Sequence, residues 1–300
     1  MAPIDKPFSW QDLATTLLSP TPTTIALTLL FALGLPILFH LYLYHTGPSS
    51  SSTLPTILLA GPSGSGKTTL LTHFSTGHAS ETHTSQAPQT ALCTLPSDTR
   101  SKADRYRSEN DTSARERPSF LLLDTPGHGK LRHHALSALA TTNTKEANKS
   151  PRALVFCVDS AACATPTGLT ATAEYLHDLL LLLQKRHTQH PGSKPPAPIP
   201  VLIAANKQDV FTALPASIVQ ARLEEEVGRV RESRAKGVVG VEGSGEEDEA
   251  EWLGEFGEGR AFGLGELEQF GVEVGVVGGS VKGDSEDGVK GWWEWVAEAL

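Results

Sequence analysis

The run Gly61-Pro62-Ser63-Gly64-Ser65-Gly66-Lys67-Thr68 fits G-x-x-x-x-G-K-[ST] at every fixed position, and a short apolar run, residues 56–60, leads into it. A glycine-rich loop between a strand and a helix turns successive backbone N–H groups inward, where they can hold phosphate oxygens. In that role Gly61, Ser63, Gly64, Ser65, Gly66 and Thr69 form the cradle, Lys67 reaches the β- and γ-phosphates, and the Thr68 hydroxyl can ligate Mg²⁺. The expected ligand is a nucleoside triphosphate.

Two segments downstream narrow the choice of base. Leucines 121–123 run into Asp124-Thr125-Pro126-Gly127-His128, a D-x-P-G sequence that can bring a carboxylate to Mg²⁺ and the Gly127 N–H to a γ-phosphate. Residues 201–205 run into Asn206-Lys207-Gln208-Asp209. Asp209 can accept hydrogen bonds from guanine N1–H and N2–H₂, which adenine does not offer, so adenine would leave a carboxylate unpaired. Asn206 is expected to brace this loop and contact guanine N7, and the Lys207 stem to lie across the base. After residues 272–277 comes Gly278-Gly279-Ser280-Val281-Lys282-Gly283, similar to the S-A-K loop that touches guanine O6, with Val281 at the usual Ala position. GTP with Mg²⁺ is therefore the expected ligand pair.

These loops need strands to carry them. Apolar runs at residues 57–60, 120–123, 153–158, 201–205 and 272–277 alternate with helix-like stretches, notably 174–184 and 213–234. Such alternation implies a mostly parallel sheet with helices on both faces. Residues 97–118, 142–150, 187–200 and 238–259 are polar or Gly/Glu-rich and are expected to be surface insertions without regular structure.

With 300 residues and 39% hydrophobic content, one α/β core with long insertions is the economical domain count. The net charge of −9, without a Lys/Arg-dense stretch, argues against a nucleic-acid backbone as partner, and no direct DNA binding is expected. The three cysteines, Cys93, Cys157 and Cys163, have no C-x-x-C spacing and read as free thiols. Eleven histidines include His133-His134 and the set His73, His78 and His83, but no companion ligands stand at a recognised metal spacing.

Residues 25–44 contain no Asp, Glu, Lys or Arg. As a helix that stretch is about 30 Å long, enough for a bilayer core. Tyr42 and Tyr44 lie at the edge where headgroups would be, and Pro36 and His40 are tolerable there. The expected organisation is a short segment, 1–24, on the lumenal side, a transmembrane helix over 25–45, a flexible tether over 46–54 and a GTP-binding domain over 55–300. Charge counting does not orient the span, because Lys6 is the only basic residue before it. The nucleotide site does, since GTP is abundant in the cytosol.

Asp124-Thr125-Pro126-Gly127-His128 followed by Leu131-Arg132, the strand end Val158-Asp159-Ser160-Ala161-Ala162, the Asn206 to Asp209 motif and the terminal Trp292-Trp293-Glu294-Trp295 together resemble the family of signal recognition particle receptor beta subunits. These are membrane-anchored small GTPases related to the Arf and Sar group. The resemblance implies a P-loop GTPase fold, residence in the endoplasmic reticulum membrane, and binding of the receptor alpha subunit in the GTP state, with ribosome and signal recognition particle reached indirectly. It places a second switch at residues 124–132. For the first switch, Gln89-Thr90-Ala91-Leu92 is similar to the family's Q-T-S-I, which makes Thr90 a candidate Mg²⁺ ligand beside Thr68 and Asp124, with Thr84 the alternative. His128 stands where many GTPases carry a water-orienting Gln, and slow hydrolysis is implied. The same motifs also suit a docking subunit that keeps GTP as a structural ligand, or an Arf-like or translation-factor-like GTPase of another pathway.

Overall fold

The computed structural model describes Trp10 and residues 22–46, 54–99, 117–140, 150–189, 196–238, 252–254, 261–283 and 286–300. Most of the N-terminal segment, the tether and the expected insertions fall outside these residues. The chain divides into two compact units, Met1–Thr53 and Leu54–Leu300.

The first unit contains helix α1, Pro22–Thr46, 25 residues with Pro36 inside it. Among the described residues no helix is long and apolar enough to cross a membrane; the side chains at 24, 27 and 40–46 of α1 lie outside them.

The second unit is built on six strands: β1 Thr56–Ala60, β2 Gln89–Thr94, β3 Ser119–Asp124, β4 Ala153–Asp159, β5 Val201–Asn206 and β6 Val274–Gly278. Their order is β2-β3-β1-β4-β5-β6. All neighbours are parallel except β2, which pairs antiparallel with β3. The helices are α2 Lys67–Thr76, α3 His133–Ala140, α4 Pro166–Thr188, α5 Ala216–Val238 and α6 Lys290–Ala299.

The alternation of side chains along each strand divides the core in two. Leu58, Leu154, Phe156 and Ile203 pack with Leu139 of α3, Leu176 and Leu180 of α4, and Leu223 and Val227 of α5. Ile57, Leu59, Phe120 and Leu202 face the other way, against Leu70 and Phe74 of α2 and Trp292, Trp293 and Val296 of α6. Phe74 and Trp293 stack with centroids 3.8 Å apart. Each such side chain, once buried, stabilises the fold by about 1.5–3 kcal/mol.

The sequence reading differs from this structure in three places. β2, which carries the first-switch candidate Thr90, was not among the expected strands; its edge position leaves Gln89, Thr90, Leu92 and Thr94 exposed, so it lacks the continuous apolar run of the inner strands. α4 begins eight residues before its leucine stripe, because the Thr165 hydroxyl caps the Gly168 N–H at 3.3 Å and Pro166 starts the helix. Trp252 and Leu253, inside the expected surface insertion 238–259, are buried. There Gln184 Nε2 donates to Trp252 O at 2.9 Å and the Arg231 guanidinium lies 4.6 Å from the Trp252 ring.

Candidate functional site

The parallel strands present their carboxyl ends on one edge of the sheet, and the loops that leave them surround a cavity of about 400 Å³. Ser63, Gly64, Gly66, Lys67, Thr68 and Thr69 line one side. Asn206, Lys207, Asp209, Ser280, Val281 and Lys282 line the other, and Gly127 and residues 82–85 complete the lining.

The phosphate loop leaves β1 with φ +136° at Gly61, where a Cβ would meet Cys157 O at 2.2 Å, so a side chain fits neither the backbone nor the space. Lys67 begins α2 and is 5% exposed. Its Nζ donates to Pro62 O at 2.8 Å, which folds the side chain back along the loop. Burial lowers the Lys67 pKa, and the nearby Cys157 and Asp124 offset part of that. An ammonium held this way is suited to an anion.

The β1–β3 register sets Leu59 beside Asp124, so the carboxylate emerges under the phosphate loop. Thr68 Oγ1 donates to Asp124 Oδ2 at 2.7 Å, while the second oxygen, Oδ1, is buried without a hydrogen bond of ordinary geometry, the Ser85 side chain standing close to the carboxylate. Burial raises the Asp124 pKa against the Thr68 hydrogen bond and the Lys67 and Ser85 side chains, which lower it. A hydroxyl and a carboxylate in contact, with one buried oxygen unmet, fit a hard cation such as Mg²⁺.

The opposite wall is tied to the phosphate loop by one side chain. Asn206 Nδ2 donates to Ser65 O at 2.8 Å, and Asn206 Oδ1 accepts from the N–H groups of Lys207 at 2.7 Å and Val281 at 3.3 Å. Its amide thus joins the loops that follow β1, β5 and β6. Ser280 Oγ hydrogen-bonds Asp209 Oδ1 and accepts from the Gly283 N–H at 3.0 Å.

Asp159 has a part in this wall that sequence reasoning missed. The β4–β5 register sets it beside Asn206. Its Oδ2 accepts from Lys207 Nζ at 2.5 Å, and its Oδ1 accepts from the N–H groups of Ala161 at 3.0 Å and Ala162 at 3.1 Å. The Val158-Asp159-Ser160 strand end was the available signal; its partner, 48 residues away, was not.

Two candidates stand apart from the cavity. Thr90 lies on β2 opposite Leu123, exposed and outside the lining, whereas Thr84 lines it. His128 is exposed and also outside the lining; its Nδ1 accepts from the Lys130 N–H at 3.3 Å and caps the turn Gly129–Leu131. No cluster of three or more metal-ligating His, Cys, Asp or Glu occurs among the described residues.

A sheet in this order, with the phosphate loop, D-x-P-G and N-K-x-D converging on its carboxyl edge, is the fold of P-loop GTPases. The chain belongs to the family described as signal recognition particle receptor beta subunit, whose model matches residues 52–270. It is 35% identical over 207 residues to the Saccharomyces cerevisiae beta subunit, covering 69% of this chain and 70% of that one. Against the Mus musculus beta subunit it is 30% identical over 216 residues, covering 72% of this chain and 65% of the relative. Among solved structures it is similar to the receptor's SRb-GTP/SRX complex from Chaetomium thermophilum, with TM-score 0.64, 37% identity, and 81% and 99% of the two chains covered. The SRb-GDP form from that organism gives TM-score 0.58 at 39% identity, with 81% and 98% covered.

Proposed function

We propose that this chain binds GTP with Mg²⁺ and, in that state, holds the alpha subunit of the signal recognition particle receptor at the endoplasmic reticulum membrane. The observation that carries the reading is the Asn206 amide, which fixes the guanine-type loops against Ser65 of the phosphate loop around one cavity. Lys67 and the loop N–H groups hold the phosphates, Thr68 and Asp124 hold the cation, and Asp209 selects guanine. The similar SRb-GDP, SRb-GTP/SRX and SRb-GDP-Mg structures from Chaetomium thermophilum support the ligand assignment. α1 serves as the membrane anchor and residues 55–300 as the cytosolic domain; the absence of charged residues over 25–44 supports this.

The outward-facing His128, whose imidazole caps residues 129–131, favours a subunit that keeps GTP for long periods over one that turns it over quickly. The test is recovery of partners from detergent-solubilised membranes with the full-length protein carrying a non-hydrolysable GTP analogue or GDP. Recovery of the alpha subunit with the GTP analogue and its loss with GDP support the proposal; equal recovery favours a constitutive docking subunit, and no recovery contradicts both.

A further inference from the structure

Residues 124–132 leave β3, cross the phosphate loop and enter α3. Their first end is fixed to β1: Thr125 Oγ1 donates to Leu59 O at 2.8 Å and the Thr125 N–H donates to the same oxygen at 3.1 Å. The middle is pressed on the phosphate loop, since a Cβ on Gly127 would stand 2.5 Å from both Gly61 O and Lys67 Nζ. His128, Gly129 and Lys130 then turn outward and are exposed. At the far end, the Arg132 guanidinium carbon lies 4.5 Å from the centroid of the Tyr175 ring, and Arg132 Nη2 donates to Ala171 O at 3.2 Å.

Tyr175 is fully buried in α4, and its ring meets Phe156 of β4 edge-on at 5.6 Å. Its hydroxyl has no hydrogen bond of ordinary geometry and faces the Thr125 side chain and the Gly61 backbone. One side chain therefore faces the phosphate loop and the start of the crossing segment with its hydroxyl, and holds the segment's end, Arg132, with its ring. A guanidinium over an aromatic face in a partly desolvated setting is attracted to it without needing a carboxylate partner.

We infer that Arg132 and Tyr175 are positioning residues that latch the 124–132 segment onto α4, holding Gly127 against the phosphate loop where a γ-phosphate would be met. This rests on the GTP reading above. A latch that sets the place of Gly127 acts on GTP, which has a γ-phosphate to contact, and leaves GDP unaffected; a ligand shifts an equilibrium only by its differential affinity for the two positions.

The experiment is a double-mutant cycle on the full-length protein in detergent, measuring equilibrium affinities for GTP and GDP in wild type, Arg132→Ala, Tyr175→Leu and the pair. The expected result is a GTP-to-GDP affinity ratio lowered about tenfold in each single variant, with little further loss in the double variant. Tyr175→Phe, which keeps the ring, is expected to keep the ratio. Should Tyr175→Leu not fold, Arg132→Lys carries the test: its ammonium over the ring restores selectivity that Arg132→Ala loses. An unchanged ratio, equal losses for both nucleotides, additive effects, or equal loss in Arg132→Lys and Arg132→Ala would overturn the latch while leaving nucleotide binding standing. Wild type that binds neither nucleotide overturns both readings.

Discussion

The Thr68 hydroxyl and the Asp124 carboxylate, 56 residues apart in sequence, are joined by a 2.7 Å hydrogen bond, and the second Asp124 oxygen is buried without a hydrogen bond of ordinary geometry. A buried group left unmet costs about 1–3 kcal/mol, a cost that a cation at this place would remove. Asp124→Asn is therefore expected to cut GTP affinity about 10- to 100-fold in the presence of Mg²⁺ and hardly at all in EDTA. The variant without nucleotide should melt no lower than wild type. Undiminished Mg²⁺ dependence in Asp124→Asn would count against the assigned cation site.

Asp209 is oriented by the Ser280 hydroxyl and lines the cavity. Asp209→Asn exchanges an acceptor for a donor where guanine presents N–H groups, so it is expected to lower GTP affinity at least about tenfold and to raise affinity for xanthosine triphosphate. Competition binding with both nucleotides reads this out. Retained guanine preference would mean that the base lies elsewhere.

Trp293 joins α6 to α2 by stacking on Phe74 and meets Phe120 of β3 edge-on at 6.3 Å. Trp293→Ala should lower unfolding free energy by about 3–5 kcal/mol. Because α2 carries Lys67 and Thr68 at its start, nucleotide dissociation should also quicken. Denaturant unfolding and single-exponential release of a fluorescent GDP check the two parts separately.

A pH dependence follows from the ion pair between α4 and α5. Arg234 Nη1 donates to Asp178 Oδ1 at 2.5 Å and lies 3.1 Å from His177 Nδ1. Burial pushes the Asp178 pKa up, but the Arg234 hydrogen bond and charge, with the His177 side chain 3.8 Å away, outweigh it, and the pKa lies below 3.8. Since the folded pKa is lowered, this stabilisation is complete above the unfolded value of 3.8 and is lost as pH falls through the folded value. Arg234→Ala should flatten that part of the acid unfolding curve and leave the neutral-to-alkaline part unchanged. A curve below pH 3.8 as steep as that of wild type would exclude Asp178 as a contributor.

What could be read in the chain depended on how local each signal was. Phosphate loop, D-x-P-G and N-K-x-D are contiguous, each follows an apolar inner strand, and the structure gathers them at one cavity. β2 escaped because an edge strand with Gln89, Thr90 and Leu92 exposed has no buried run to announce it. The Thr90 candidate and its alternative Thr84 could not be separated in a threonine-rich stretch, and only the register of β2 against β3 puts Thr90 opposite Leu123. Asp159, Tyr175 and Trp252 owe their positions to partners tens of residues away, for which local spacing holds no signal.

The most direct test of the account is equilibrium competition for the cavity by GTP and ATP on the purified full-length protein with Mg²⁺. GTP is expected to bind tightly, to resist displacement by ATP at comparable concentration and to bind more weakly in EDTA. Displacement by ATP as readily as by unlabelled GTP, or no binding of either nucleotide, would contradict it.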